Sequence, residues 1–543
     1  MAWNFADVWD AIALATPQAP ALVHGGCRRS WGGFERRSRG LAAHLLAAGL
    51  QRQDKVALYL YNDPAYLEGA YACFKAALVP VNVNYRYQHE ELLYLFDNAD
   101  AAAVVFHGEF TPRIEELRAR CPKVRTWVQV DDGTHPCPPW AVPYEAAAGT
   151  AGAPAPQRTG DDLVLVYTGG TTGRPRGVMW RQDDLFVASN TAGDPPDGNL
   201  GHVRDRLARA QEEGRRPPRG VPAAPLMHGT AFVFACSILT RGGAVVTATG
   251  RSFDAAELLD LIDAEAVTDL CIVGDAFARP MLDRLDAAPG RWRLSTVKAI
   301  SSSGMLWSDA SKDGLLRHLP QALLVDFLNS SEASGMGKSV RSSGRGPAGG
   351  ARFKLGQNAL VIDEDNRPVA PGSGVAGRVA VRGRVPLGYY NDPAKTAATF
   401  PVIDGVRHAV PGDYARVEAD GTIALLGRGS VSINTGGEKV YPEEVEQCIK
   451  ELPGVADALL VGVPDPRFGE VVTALVQPTR DADVEPGQVT AHVRQRLARH
   501  KVPRHVLLVE RIDRGPNGKA DYPAARRHMQ EWLAGRSDLT QAS

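Results

Sequence analysis

The sequence predicts an α/β protein: a large N-terminal domain of mostly parallel sheets carrying a β-rich subdomain, then a small α+β C-terminal domain. Three observations predict it. Residues 1–130 alternate strand-like and helix-like pieces, the rhythm of a parallel sheet. Between 163 and 332 several apolar runs end in Ser, Thr, Gly or acidic residues, as strands do whose carboxyl ends share one ligand crevice. From about 355 to 426 short strands alternate with turns, and the last ~115 residues, after Gly427-Arg428-Gly429-Ser430, have the size of a separate domain.

Bulk properties agree. The 543 residues exceed one hydrophobic core. A formal net charge of −1 argues against nucleic-acid binding or stable membrane association carried by bulk charge. No basic-then-apolar leader precedes Pro20, and no apolar run reaches bilayer length. Seven scattered cysteines without a CxxC argue against disulfides and a zinc site, and fit a reducing cytoplasm.

The elements read in order. Lys55–Tyr61 is a strand. Pro64–Leu78 is a helix, with Asp63 as N-cap and Pro64 at the first helical position. Val79–Val83, His89–Phe96 and Ala102–Phe106 continue as strand, helix and strand. Proline, alanine and glycine dominate 131–160, which reads as a linker. Residues 211–222 read as a basic, solvated loop. After Ala224-Pro225-Leu226-Met227-His228-Gly229-Thr230 comes an apolar helix to Leu239. Leu270–Asp275, Val297–Gly304 and Leu323–Glu332 are each a strand running into a small-residue or acidic turn. Residues 338–351 read as a loop, and Gly377–Arg382 and Thr422–Leu426 as strands. A helix starts at Pro442, with Glu443 and Glu444 suiting its first turn. Strands at 457–463 and 471–477, a basic helix near 487–499 and a strand at 504–509 follow. The tail beyond Gly535 is expected to be disordered.

One stretch organises the rest. Leu163–Tyr167 is a short apolar strand, and the ten residues from Thr168 to Gly177 hold four glycines and three threonines, with Arg174 and Arg176. Glycines let several backbone N–H groups converge, and hydroxyls and guanidinium groups add donors and charge, so the loop can cradle phosphates. It is neither a Walker A loop nor a GxGxxG turn. Composition alone leaves a flexible surface loop as the alternative. No Gly-x-Ser-x-Gly is present, which excludes an α/β-hydrolase elbow.

Together these pieces resemble the adenylate-forming superfamily of acyl-CoA synthetases, luciferases and peptide-synthetase adenylation domains. Tyr167–Gly177 resembles its phosphate loop, Pro225–Thr230 its Pro-x-x-His-Gly segment, and Leu328–Glu332 its Tyr-Gly-x-Thr-Glu. Gly412-Asp413, Gly427-Arg428, Gly436–Glu446 and Gly518-Lys519 follow in family order. Within the family, Tyr167–Gly173, Gly177–Arg181, Gly274-Asp275-Ala276, Ser330–Glu332, Gly427–Asn434, Gly-Tyr-Tyr390 and Pro411–Tyr414 resemble actinobacterial fatty-acid and steroid-side-chain CoA ligases. The run Ala231-Phe232-Val233-Phe234-Ala235 lacks the Asp that a peptide-synthetase domain carries there.

The resemblance implies domains at 1–427 and 431–543, with the smaller mobile about a hinge at 428–430 centred on Ser430. It implies ATP, CoA and Mg²⁺ as co-reactants for a bulky carboxylic acid, with polycyclic, terpenoid and steroid-like skeletons as the candidates. Thr168, Gly169, Gly170, Thr171, Thr172, Gly173 and Arg176 would hold the triphosphate, Ser331 phosphate and Glu332 the metal. Ser303, Gly304, Asp326, Phe327, Leu328 and Asn329 would line the nucleotide, and Asp413 would bind its ribose. Lys519 would bridge carboxylate and α-phosphate. His228, Gly229, Phe232, Gly274 and Asp275 would line the acyl and pantetheine path with Ser303 and Gly304. Arg428 would serve the hinge, and Gly436 and Gly437 would flank the thiol.

Four positions depart from the family pattern: Arg176 for lysine, Ser430 for an acidic hinge residue, Leu328 for the adenine-stacking tyrosine and Asn329 for glycine. A side chain at Asn329 can crowd ATP. Two other readings therefore stand beside the complete ligase. One is an enzyme that takes acyl-adenylate from a separate adenylating partner, the other a non-catalytic binding protein, which the retained Glu332, Asp413, Arg428 and Lys519 oppose. A homodimer is a further expectation.

Overall fold

The computed structural model describes residues 2–541 except 153–155, 169–173, 190–192, 196, 306, 345–351, 436–437, 466–467, 481 and 515–519. The chain divides into two compact units. One holds residues 1–335, 340–346 and 381–409, the other 336–339, 347–380 and 410–543.

Two sheets organise the first unit. One runs Gly388–Tyr389, Arg176–Arg181, Leu163–Thr168, Val79–Asn82, Lys55–Tyr59, Ala101–His107, Thr126–Val130, Val142–Pro143. Its pairings are parallel from Leu163–Thr168 onward, while Arg176–Arg181 is antiparallel to both neighbours. The other runs Cys27–Ser30, Pro20–His24, Ala244–Thr247, Arg219–Pro222, Asp269–Ile272, Ala299–Ser303, Leu323–Ser330. It is parallel from Pro20–His24 onward. Strands buried on both faces read as continuous apolar runs, and Ala101–His107 is buried at every position.

Local chemistry sets the helices. The Asp63 carboxylate accepts the Ala65 N–H at 2.8 Å, and Pro64 opens Pro64–Lys75. Asn4 caps Phe5–Ala15 in the same way. These helices meet through Trp9, whose ring stands edge-on to Tyr71 at 5.1 Å and to Phe74 at 5.8 Å. Such aromatic pairs add about 0.5–1.5 kcal/mol each to the stabilisation from burial.

In the second unit, Arg352–Leu355, Thr422–Arg428, Asp413–Val417 and Ala376–Arg382 pair antiparallel in that order. A further sheet joins Glu438–Val440, Ile433–Thr435, Gly469–Pro478 and Val455–Asp465, with His505–Leu508 parallel to Gly469–Pro478. Helices Pro442–Lys450 and Pro486–Arg496 bury Val445, Ile449, Val489 and Val493 in its core. The predicted class, a large domain of mostly parallel sheets followed by a small α+β domain, is the one observed.

Four local expectations need correction. Residues 131–160 are not a bare linker: Val142–Pro143 adds a strand, and buried Tyr144 donates to Glu68 at 2.7 Å. Arg219–Pro222 is an inner strand, not part of a solvated loop. Gly220 makes this possible, since a Cβ there would overlap Ile238. The strand Ala333–Arg341 takes the first residues of the expected 338–351 loop. The C-terminal helix Tyr522–Gln541 continues through the tail, anchored by buried Ala525 and Met529. Among the described residues no helix is long and apolar enough to cross a membrane.

Candidate active site

Two antiparallel strands flank the glycine- and threonine-rich stretch. Leu163–Thr168 pairs with Arg176–Arg181, placing Thr168 opposite Arg176. Gly169, Gly170, Thr171, Thr172 and Gly173 lie outside the described residues. Gly177 leaves room for the Tyr167 ring, which a Cβ would meet at 2.6 Å. The Tyr167 hydroxyl donates to Asn98 at 2.7 Å. Arg176 bonds Asp392 at 2.9 Å, and the Arg174 guanidinium lies 4.9 Å from the centre of the Tyr94 ring.

Asn82, at the end of Val79–Asn82, fixes the base of this strand pair. Its amide oxygen accepts the Tyr167 N–H at 2.6 Å, and its amide nitrogen donates to the carbonyls of Tyr167 at 2.8 Å and Met227 at 2.6 Å. One side chain thus ties the strand Leu163–Thr168 to the His228 segment. An unmet buried backbone group costs about 1–3 kcal/mol. Asn82→Ala is therefore expected to lower pyrophosphate exchange about tenfold or more and to depress the melting temperature, read by isotope exchange and thermal unfolding.

The His228 segment leads into Gly229–Thr240, with His228 as its N-cap residue. A Cβ on Gly229 would lie 3.4 Å from Val166 and 3.9 Å from the Ser331 hydroxyl. Gly229 therefore stands where the strand Leu163–Thr168 and the Ser331-Glu332 turn approach each other. Trp180 braces that turn, its indole N–H donating to the Ser331 carbonyl at 2.9 Å. The Tyr389 hydroxyl donates to Glu332 at 2.8 Å. Burial and the adjoining Glu332 charge raise the Tyr389 pKa, so the phenol stays a donor.

Leu323–Ser330 and Ala299–Ser303 run parallel, with Ser302 opposite Asp326 and Ser303 opposite Phe327. Gly304 follows at φ +94°, a turn that a side chain would strain. Asp326 is buried beside Lys312, whose ammonium donates to it at 3.1 Å. Burial nevertheless lifts the Asp326 pKa to about 6, against the lowering pull of Lys312. Leu328 is buried. The Asn329 amide oxygen accepts the Gly335 N–H at 2.7 Å, committing that side chain to its own hairpin. Gly274, at φ +53°, donates to the Ser302 hydroxyl at 2.9 Å. The Asp275 carboxylate accepts the Ser308 N–H at 3.0 Å and pairs with Arg279 at 3.3 Å, so it braces the frame around the turn.

In the second unit Asp413 and Arg428 sit opposite each other on paired strands, Nε to Oδ1 3.4 Å. Gly427, at φ +120°, packs against Glu443. The Arg428 N–H points at the Glu443 carboxylate at 3.4 Å. Burial pushes the Glu443 carboxyl well above the usual carboxylate range, with Glu446 adding to the shift. The Ser430 side chain, Gly436, Gly437 and Lys519 lie outside what the structure describes.

The structure thus joins Thr168, Arg176, Gly229, Ser331 and Glu332 through direct contacts or through Asn82 and Trp180. It also adds Asn82, Tyr389 and Asp392. A polar residue ending an apolar strand was the available signal for Asn82. Nothing local marks the partners of Tyr389 and Asp392.

A family model described as AMP-binding enzyme matches residues 9–390, and its C-terminal domain model matches 444–519. The chain belongs to the AMP-binding, adenylate-forming enzymes. Among relatives of this family, a medium/long-chain-fatty-acid–CoA/3-oxocholest-4-en-26-oate–CoA ligase of Mycolicibacterium smegmatis is 39% identical, over 98% of this chain and 97% of the relative. A 3-oxocholest-4-en-26-oate–CoA ligase of Rhodococcus rhodochrous is 40% identical, over 97% of this chain and 96% of the relative. The crystal structure of an anthranilate CoA ligase in complex with anthranoyl-AMP superposes with a TM-score of 0.80 at 19% identity, covering 100% of this chain and 99% of that one. At that identity the last match shows the adenylate-forming fold alone.

Proposed function

We propose that this chain is an AMP-forming acid–CoA ligase for a bulky, apolar carboxylic acid of the fatty or steroid-side-chain class. The observation that carries the reading is the meeting of the phosphate-loop strand, Gly229 and the Ser331-Glu332 turn. It is supported by end-to-end kinship with ligases named for such acids.

In the first half-reaction a carboxylate oxygen attacks the α-phosphorus of ATP, and the α–β P–O bond breaks as pyrophosphate leaves. Two anions must approach, so donors and cations have to be in place beforehand. Residues 168–176 supply them around the triphosphate, with Arg176 the fixed charge, and Ser331 contacts phosphate. Asp413 accepts from the ribose hydroxyls. Ser303, Gly304 and Asp326–Asn329 border the nucleotide, and Lys519 bridges carboxylate and α-phosphate.

Glu332 offers one oriented hard-oxygen ligand, and among the described residues no three acidic, His or Cys side chains cluster as a protein cage. That suits Mg²⁺, which is held by one or two carboxylates together with substrate phosphates and waters. When bound it neutralises phosphate charge.

In the second half-reaction the CoA sulfur attacks the acyl carbon, a C–S bond forms, and AMP leaves with the electrons of the C–O bond. His228, Gly229 and Phe232 border the acyl path. The smaller domain, 431–543, turns about 428–430 with Arg428 and Ser430 at the pivot. This withdraws Lys519 and brings Gly436 and Gly437 beside the thiol. The enzyme works in the cytoplasm, as a homodimer.

The test is acid-dependent ATP–pyrophosphate exchange over fatty and steroid-side-chain acids, beside thioester formation from synthetic acyl-adenylates. Exchange is expected. Thioester formation without exchange would favour a separate adenylating partner, and neither activity would overturn the ligase. Lys519→Ala is expected to lose exchange while keeping thioester formation within a few-fold.

A further inference from the structure

Ser331 and Glu332 alone separate two strands. Leu323–Ser330 ends before them, and Ala333–Arg341 begins after them and pairs with the first strand. A connection this short joins only antiparallel strands. Two-residue turns between such strands favour a left-handed central residue, whose twist matches that of the strands, while other turns splay them. Neither Ser331 nor Glu332 is left-handed. The direction of this turn therefore has to be set by more than its own backbone.

Side chains set it. The Ser330 hydroxyl accepts the Ala333 N–H at 3.1 Å and closes the turn itself. Trp180 holds the Ser331 carbonyl, and Tyr389 holds the Glu332 carboxylate. Asn329 acts from further back. Its amide oxygen accepts the Gly335 N–H at 2.7 Å, six positions along the chain. Gly335 sits at φ +75°, and nothing lies within 4 Å of where a Cβ would stand, so conformation and not crowding calls for glycine there. A left-handed glycine inside a strand marks a bulge, and bulges beside active sites re-aim side chains. The family pattern has glycine at position 329, which offers no side chain to hold such a bulge.

We propose that Asn329 is a positioning residue for adenylation: by holding the bulged Gly335 N–H, it fixes the angle at which the turn presents Glu332 to magnesium-bound triphosphate. The inference rests on the acid–CoA ligase reading, with Glu332 as the metal ligand. Asn329 touches no reacting atom. The departure from glycine is then a brace, and the opposite reading makes it an obstruction to ATP.

The two readings predict opposite results for Asn329→Gly. Full-length wild type, Asn329→Gly, Asn329→Ala and Asn329→Asp are compared by calorimetric binding of ATP in EDTA and in Mg²⁺. Pyrophosphate exchange and thioester formation from a synthetic acyl-adenylate are measured beside it. In EDTA, wild type and the Gly and Ala variants are expected to bind ATP alike. Mg²⁺ should tighten ATP binding about fivefold less in these variants than in wild type, the worth of one hydrogen bond. Exchange should fall about tenfold in both, as for a misplaced catalytic group, and thioester formation far less. Asn329→Asp keeps the acceptor oxygen and should recover part of the loss. Tighter ATP binding in EDTA or faster exchange by Asn329→Gly would make the side chain an obstruction and overturn the inference. An unchanged response to Mg²⁺, or equal losses in both half-reactions, would overturn it and leave the ligase standing. A wild type without exchange would overturn it together with the complete-ligase reading.

Discussion

Glu332→Gln is expected to lower acid-dependent pyrophosphate exchange by about 10²–10³-fold, the usual cost of removing one group that stabilises transition-state charge. The amide keeps the shape and still accepts from the Tyr389 hydroxyl, which bonds the carboxylate at 2.8 Å. What is lost is the charge that, in the proposed mechanism, would hold Mg²⁺. Raising Mg²⁺ should recover part of the rate, and thioester formation from a synthetic acyl-adenylate should fall far less. Tyr389→Phe removes only the orienting bond and should cost several-fold. Equal losses in both half-reactions for Glu332→Gln would mean that the carboxylate is structural.

Gly427→Val carries the largest expected stability effect. The backbone there sits at φ +120°, and a Cβ would lie 2.6 Å from the Glu443 carboxyl carbon and 3.2 Å from the Glu443 Cβ. Backbone strain and overpacking together cost about 2–5 kcal/mol. The denaturant midpoint of the second unit should fall, and Gly427→Ala should show a smaller drop. Adding Glu443→Ala to Gly427→Ala should recover part of it. No recovery would place the cost in the backbone angle alone.

The fold was legible wherever one signal dominated. Leu163–Tyr167 and Ala102–Phe106 read as strands, each within one residue per end of the observed element, because apolar side chains fill both faces. Pro64–Leu78 read as a helix because Asp63 and Pro64 mark its start, and the helix observed ends three residues earlier, at Lys75. Arg219–Pro222 was hidden because the arginines and prolines around it imitate a solvated turn, while its burial depends on Ile238, contributed by a later helix. The motifs marked Thr168, Arg176, Ser331 and Glu332, because the phosphate and metal chemistry proposed for them restricts residue type. Their supports did not show. Asn82 reaches partners 85 and 145 positions away, and Asp392 reaches back 216 to Arg176. Hydrogen bonds over such separations belong to tertiary structure and leave no local pattern.

Tyr389 and Asp392 also bear on how the chain can change length. The first donates to Glu332, the acid proposed for the site, and the second pairs with Arg176, the cation proposed for the phosphate loop. They are the two ends of one four-residue turn, closed by the Asp392 N–H donating to the Tyr389 carbonyl at 3.3 Å, and Asp392 also caps the helix Pro393–Thr399. The spacing between them works as a ruler. One residue inserted or deleted there would move acid and cation out of register together, and no substitution elsewhere could restore both. Surface loops in this protein can lengthen or shrink at small cost, whereas the stretch from Tyr389 to Asp392 has one permitted length.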